Sequence, residues 1–262
     1  MTTNSATALI TGASSGIGAE LACIHAEHKG NLVLVARRID RLETLKTELE
    51  QAHGITAHVI AKDLANPEAP RQIYDELAAR DIQIDYLINN AGFGYGGLFH
   101  EQDWARNESM IKVNILALAA LTRLFIPEMI ARGTGRILNV ASMAGFLPGP
   151  LQAVYYATKA FVVSFSEATS NELTDTGVTV TALCPGPVDT EFIEQANLRK
   201  ARGFARTVSP RGVAQAGYNA MLKGKTIIVP GLVNKLIIHL LLRLTPRSQA
   251  TSISRAMMER KA

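Results

Sequence analysis

Tyr155 and Lys159 stand four residues apart in the segment YYATK. Apolar spacing predicts a helix over 152–175, so one turn separates the two side chains and they share a face. A free phenol titrates near ~10 and is a poor acid–base catalyst at neutral pH. A neighbouring ammonium favours the phenolate, and each pKa unit gained is worth about 1.4 kcal/mol. The pair suits proton transfer at a substrate oxygen. Tyr156 points about 100° away on an ideal helix and reads as packing or pocket wall.

A second cluster lies at the N-terminus, in Thr11-Gly12-Ala13-Ser14-Ser15-Gly16-Ile17-Gly18. Glycines between a strand and a helix let backbone amides and a helix N-terminus approach a pyrophosphate. Gly12, Ser14, Ser15, Gly16, Ile17 and Gly18 are therefore candidate dinucleotide contacts; plain turn punctuation is the alternative. The spacing is G-x-x-x-G-x-G, and no Lys-Ser/Thr pair follows, which disfavours a triphosphate P-loop.

The next strand-like run ends Leu34-Val35-Ala36-Arg37-Arg38. NAD sites usually carry an acidic residue there, on the adenosine ribose hydroxyls. Here Ala36 takes that place and two guanidinium groups follow. Arg37, ahead of Arg38, suits a 2′-phosphate, with a charge-assisted hydrogen bond contributing on the order of 1.5–3 kcal/mol. The reading is NADP(H) in preference to NAD(H), against the alternative of a solvated basic helix start. Asp63, with Leu64 beside it, follows the third run and could accept from an adenine amino group. Its rival role is a helix N-cap, which Asn66 fits better. Asn89-Asn90-Ala91-Gly92 follows the fourth run and by itself reads as a turn.

Such residues need elements to hold them. β-rich runs occur at Ala6–Ile10, Asn31–Ala36, Thr56–Ile60, Ile84–Ile88, Arg136–Val140, Val178–Leu183 and Thr226–Val229. Helical spacing fills 15–29, 39–52, 67–80, 102–131, 152–175 and 209–223. The alternation predicts an α/β fold: a doubly wound, mostly parallel, seven-stranded Rossmann-type sheet with helices on both faces and a short C-terminal helical extension. Ligands of such sheets sit at the carboxyl ends of the strands.

The chain has 262 residues, 47% of them apolar and 19% charged, which excludes a disordered or low-complexity protein. The expected division is a catalytic domain over 1–231 and a basic amphipathic extension over 232–262. The net charge of +4 is too small to argue for nucleic-acid binding, but it is unevenly spread. Residues 1–198 carry 14 basic and 22 acidic side chains, residues 199–262 carry 13 basic and the single acid Glu259. Cys23 and Cys184 lie in apolar stretches and read as core thiols of a reducing compartment. No basic n-region precedes an apolar stretch at the N-terminus, and no run of about 18 apolar residues occurs, so a cytoplasmic protein is expected. The six His are scattered and no metal site is expected.

Thr11–Gly18, Asn89–Gly92, Asn114, Ser142, Tyr155 with Lys159, and Pro185-Gly186-Pro187-Val188-Asp189-Thr190 occur in an order and at spacings that resemble the short-chain dehydrogenase/reductase family, from about Thr7 to Gly231. The resemblance implies hydride transfer between a nicotinamide and a carbonyl or alcohol. In that scheme Ser142 binds the substrate oxygen, and Tyr155 is the general acid in reduction and the base in oxidation. Lys159 holds the nicotinamide ribose and lowers the tyrosine pKa, and Asn114 holds a water of a proton relay. Asn90, Ala91 and Gly92 pass close to the cofactor. Pro185, Gly186, Val188 and Thr190 form the loop over the nicotinamide. The Arg37 feature resembles NADP-preferring members. The resemblance also implies a homodimer or homotetramer built on the helices starting near Gln102 and Gln152, where Ala157, Ala160, Ser164 and Ala168 allow close approach. The alternative is a non-catalytic NADP-binding or membrane-peripheral interaction protein on the same fold.

Specificity in that family comes from the loop after the sixth strand, here Glu191–Pro210, with Phe192, Ile193, Leu198 and Phe204 as apolar contacts. The rim adds Gly92–Leu98 and Met143–Leu147, where Phe93, Met143, Phe146 and Leu147 suggest an apolar substrate, with core packing an equal alternative for any one of them. Beyond Gly231 the chain departs from the family's usual ending. A helix is expected over 232–244, with Asn234, Lys235, His239 and Arg243 as a polar stripe and Pro246 as its stop. Three readings stand for it: packing on its own or a neighbouring subunit, a lid over a lipophilic substrate, or weak attachment to an anionic membrane surface.

Overall fold

Apolar runs such as LVLVA cannot face water on either side, and the structure buries them on both. Leu32, Val33, Leu34 and Val35 are completely inaccessible to solvent. The structure, a computed structural model, describes residues 5–199, 201–241 and 244–259, without the side chains of His239 and Leu241. Seven strands, β1 (Thr7–Thr11), β2 (Asn31–Ala36), β3 (Ala57–Ala61), β4 (Tyr86–Asn89), β5 (Gly135–Val140), β6 (Val178–Leu183) and β7 (Ile227–Ile228), make one sheet. Its order is β3-β2-β1-β4-β5-β6-β7 and every pairing is parallel. β7 is shorter than the expected Thr226–Val229, β2 and β6 match their expected bounds, and β1, β3, β4 and β5 differ by a residue or two at their ends.

Helices cover both faces. Leu21 and Ile24 of α1 (Gly16–Glu27), Leu42 of α2 (Ile39–His53) and Val213 and Tyr218 of α8 (Pro210–Leu222) fill one core layer. Ile73 and Leu77 of α3 (Ala69–Ala79) and Leu121, Phe125 and Met129 of α5 (Leu118–Arg132) fill the other. α5 continues α4 (Trp104–Ile111) through a π-helical segment, Lys112–Ala117. The combined helix is long and apolar enough to cross a membrane, yet it is built into the sheet layers. Asn66 does not cap α3; its side chain accepts from Glu68 N in the turn before it, while Glu68 is the cap residue and Pro70 sits in the first turn.

The strand order reverses between β1's two neighbours, β2 and β4, which opens a crevice at their carboxyl ends. Every motif singled out above follows a strand at that end or, as with α6 (Ala153–Glu172), packs beside it.

The C-terminal segment differs from expectation. α9 (Leu232–Leu236) runs into a π-helical segment, Ile237–Leu241. Arg243 and the His239 side chain, two members of the expected polar stripe, lie outside the described residues. Asn234 turns inward, its Nδ2 donating to the Pro230 carbonyl at 2.8 Å, and leaves Leu232, Val233 and Leu236 exposed. After Pro246 a further helix, α10 (Arg247–Met258), was not anticipated; it buries Ala250, Ser254 and Met258, four residues apart.

Candidate active site

The glycine turn is shaped by close approach. Gly12 and Gly16 have φ of +66° and +59°, where a side chain is strained. A Cβ on Gly12 would lie 2.8 Å from Asn90 Nδ2. Thr11 joins the turn to β4: its Oγ1 accepts from Asn90 N and Ala91 N, each at 3.0 Å, and Asn90 Nδ2 donates to its carbonyl at 2.9 Å. The first and fourth strand ends thus share one polar junction.

Arg38 and Arg37 diverge. Arg38 donates to the Ser14 hydroxyl at 3.0 Å, to the Ser15 hydroxyl at 2.9 Å and to the Glu191 carboxylate at 2.8 Å. Glu191, at the start of α7 (Glu191–Gln195), also pairs with Arg41, and the Arg41 and Arg38 guanidiniums hold its carboxyl below the usual range. Arg37 is exposed at the cavity edge and makes no hydrogen bond or ion pair among the described residues. Asp63 lies across the cavity, with one carboxylate oxygen accepting from Ala65 N at 3.0 Å.

At the other end, Ser142 caps a short 3-10 turn, Met143–Phe146, its hydroxyl accepting from Ala144 N at 3.1 Å. That hydroxyl faces the Tyr155 phenol. Burial pushes the Tyr155 pKa well above its ordinary value, and the Ser142 hydroxyl draws it part of the way back. Lys159 Nζ donates to the Val140 carbonyl at 2.7 Å and lies 5.9 Å from the Tyr155 ring centre. Burial lowers the Lys159 pKa to about 8. Burial is thus the largest influence on both groups in the protein by itself, pushing the phenol up and the ammonium down. Cys184, fully buried beside Lys159, has its thiol pushed up to about 12 by burial, as suits a core thiol.

Asn114 sits in the π-helical segment, 1% exposed. Its carboxamide accepts from Phe93 N at 3.1 Å and donates to Phe93 O and Thr158 Oγ1, each at 3.0 Å. Thr158 in turn donates to the Tyr155 carbonyl at 2.7 Å. π-turns inside α-helices recur at functional sites, and this one links the Gly92 loop to α6.

One cavity of about 770 Å³ gathers these groups. Of the expected site residues, Gly12, Ser14–Ile17, Arg37, Arg38, Asp63, Leu64, Asn90–Gly92, Ser142, Tyr155, Lys159, Pro185, Gly186, Val188 and Thr190 all line it. Gly18 and Asn114 do not. Gly18 is packed behind the wall, where a Cβ would lie 2.4 Å from Asn90 Nδ2 and Gly12 O, and Asn114 acts through Phe93 and Thr158.

Beyond Tyr155 the wall is apolar. Phe93, Met143, Leu147, Phe192, Phe204 and Tyr156 line it, in keeping with the sequence, whereas Phe146, Ile193 and Leu198 pack into the cores behind. Ser109, Val113 and Gln152 are not expected from the sequence; Gln195 belongs to the expected specificity loop without being singled out there, and Ile237, Ala250, Ile253, Met257 and Met258 come from the C-terminal segment, for which a lid is one of three readings. The spacing of Ala250, Ser254 and Met258 was the one signal for α10, but small and hydroxyl side chains do not read as an apolar stripe. No group of three or more His, Cys, Asp or Glu that could hold a metal ion occurs among the described residues.

Comparison with known proteins agrees with this geometry. A family model described as short chain dehydrogenase matches residues 6–201. A ketoacyl reductase of a Nostoc species is 36% identical over 222 residues, 84% of this chain and 76% of that protein. A human very-long-chain 3-oxoacyl-CoA reductase is 34% identical over 197 residues, 74% of this chain and 62% of that protein. Among solved structures, a short-chain dehydrogenase from Sphingobium yanoikuyae in complex with NADPH superposes with a TM-score of 0.81 at 31% identity, covering 95% of this chain and 99% of that one.

Proposed function

The chain belongs to the short-chain dehydrogenase/reductase family and is an oxidoreductase moving hydride between a nicotinamide cofactor and a carbonyl or alcohol; we propose that it is an NADPH-preferring reductase of apolar ketones or acyl-type carbonyl compounds. One observation carries this reading: the Ser142 hydroxyl and Tyr155 phenol face each other in a cavity whose far wall is apolar and whose near end presents an unpaired Arg37.

The bound cofactor supplies the hydride that the carbonyl carbon receives. Ser142 and Tyr155 hold the carbonyl oxygen from one side and stabilise the negative charge that develops on it. Tyr155, kept protonated by burial, donates its proton to that oxygen. Lys159 and Tyr155 would hold the nicotinamide ribose, and the Lys159 ammonium favours the phenolate once the proton has left. Asn114 is a positioning residue that fixes Phe93 and, through Thr158, the first turn of α6.

Gly12, Ser14–Ile17 and Asn90–Gly92 would cradle the pyrophosphate and adjoining ribose, with Gly18 packed behind them; Asp63 and Leu64 would meet the adenine, and Pro185, Gly186, Val188 and Thr190 would cover the nicotinamide. Support for the NADPH preference comes from Ala36, which stands where an NAD site would carry an acid, and from Arg37 after it, whose guanidinium makes no hydrogen bond or ion pair among the described residues, with Arg38 holding the turn. The domain over residues 1–231 would carry this machinery, with Ile237, Ala250, Ile253, Met257 and Met258 of the C-terminal segment adding to the cavity wall. A homodimer or homotetramer fits the α4–α5 and α6 faces, where Trp104, Leu116 and Phe161 are exposed beside the small Ala157, Ala160 and Ser164. The free Cys23 and Cys184 support a cytoplasmic setting.

The test is consumption of NADPH and NADH over ketones and 3-oxoacyl thioesters of increasing chain length. Turnover that rises with apolar size and favours NADPH is expected. Turnover confined to small polar carbonyls, or equal with both cofactors, overturns the reading.

A further inference from the structure

Sixteen large apolar side chains stand exposed among the described residues, and seven of them follow Gly231. Leu232, Leu236 and Leu240 recur every four residues along α9 and its π-helical continuation, with Val233 beside them; Leu232 is 84% exposed. Leu244 follows at 75%. On α10, Ile253 and Met257 are one turn apart, exposed, and at the same time part of the cavity wall. The two exposed segments meet at the cavity, whose wall includes Ile237, next to Leu236 on the stripe, as well as Ile253 and Met257. A patch of this extent on a folded domain marks an interaction surface.

Charge identifies what the surface meets. Residues 199–262 carry 13 basic side chains against one acid, Glu259, and Arg255 already pairs with that acid. Lys235 and Arg247, which flank the apolar stripe, are exposed and make no ion pair among the described residues. A second copy meeting this patch by twofold symmetry would bring two such basic segments together. Leucines beside unpaired lysine and arginine instead match the boundary of an anionic bilayer, with acyl chains under the leucines and phosphates beside the cations.

We propose that α9, its π-helical continuation and α10 dock the protein on an anionic lipid surface, with the cavity edge at Ile253 and Met257 facing the lipid so that an apolar carbonyl substrate enters from it. The substrate's route rests on the reductase reading above; the docking does not.

The experiment is co-sedimentation of the full chain with vesicles of phosphatidylcholine alone and of phosphatidylcholine mixed with phosphatidylglycerol. The expected result is sedimentation with the mixed vesicles only, weakened by high salt. The triple variant Leu232→Ser/Leu236→Ser/Leu240→Ser, which alters exposed positions outside the cavity, should partition at least tenfold less. The charge variant Lys235→Glu/Arg247→Glu should lose the preference for the anionic vesicles. Turnover of a water-soluble ketone by the triple variant should stay unchanged, while turnover of a long-chain ketone presented in mixed vesicles falls. Equal partition of the wild type and the triple variant overturns the proposal, as does absence from both vesicle types. A wild-type oligomer that dissociates in the triple variant also overturns it, by showing that a second copy covers the stripe. If the wild type reduces no ketone yet sediments as expected, the reductase reading fails and the docking stands.

Discussion

Arg38 and Glu191, 153 positions apart in the chain, are joined by a 2.8 Å ion pair that fixes Arg38 over the glycine turn, with Ser14 and Ser15 as its other partners. The two adjacent arginines therefore have separate tasks. Arg38 is occupied with protein groups, and Arg37 is the one left to meet a phosphate.

Arg37→Ala should weaken NADPH binding roughly 10- to 150-fold, the equivalent of a lost charge-assisted hydrogen bond of about 1.5–3 kcal/mol. NADH binding should hardly change. Arg38→Ala should weaken both cofactors, because Ser14, Ser15 and Glu191 lose their common donor. Dissociation constants from fluorescence titration check both; a preference untouched by Arg37→Ala removes Arg37 from the phosphate site.

Replacing Tyr155 by Phe keeps the ring and deletes only the hydroxyl. The expected result is a fall in kcat of roughly a hundred- to ten-thousand-fold with a nearly unchanged KM. Steady-state kinetics on any substrate found by the screen, beside a melting curve showing an intact fold, measures this.

Burial sets a pH dependence of stability at Lys159. Its pKa in the folded protein is about 8 against 10.5 for a free lysine, so between those values the unfolded chain binds the proton that the folded one has lost. Stability from this group therefore rises as pH rises from about 8 towards 10.5, and its full destabilising effect is present below about 8. Compared across that range, the Tm of the wild type should gain on that of Lys159→Met as pH increases. A constant difference would mean that Lys159 is not the buried cation described.

His25 has the same linkage at the opposite end of the sheet. Its Nδ1 lies 2.8 Å from the Tyr218 hydroxyl and its Nε2 2.9 Å from the Ala6 carbonyl, which suits a neutral ring taking one hydrogen bond and giving the other. Burial lowers its pKa, so the unfolded state gains protons first as pH drops below about 6.5, and stability falls with it. Tyr218→Phe strands a buried acceptor and should cost about 1–3 kcal/mol. Chemical denaturation at pH 7 and pH 5 measures both effects.

Much of this was legible because a parallel sheet announces itself twice, in strands apolar on both faces and in small or polar residues immediately after them. Asn90–Gly92, Ser142 and Pro185–Thr190 could be read because the end of a strand fixes where its next residues go. Roles that depend on burial could not. The sequence offers no way to see how strongly burial shifts Tyr155 and Lys159, or that Asn114 and Gly18 lie behind the cavity wall. α10 escaped because it faces the protein with Ala250, Ser254 and Met258 and the outside with Ile253 and Met257, so its apolar pattern does not mark the buried side.

The junction between Thr11 and Asn90 has a consequence for the order of assembly. The glycine turn takes its shape from hydrogen bonds to a partner 79 positions further along the chain. A growing polypeptide that has delivered only β1 and α1 holds the glycine sequence without the cradle, and no short fragment around Gly12 should grip a dinucleotide. Cofactor binding then serves as a report that β4 has docked and that the first half of the sheet is complete.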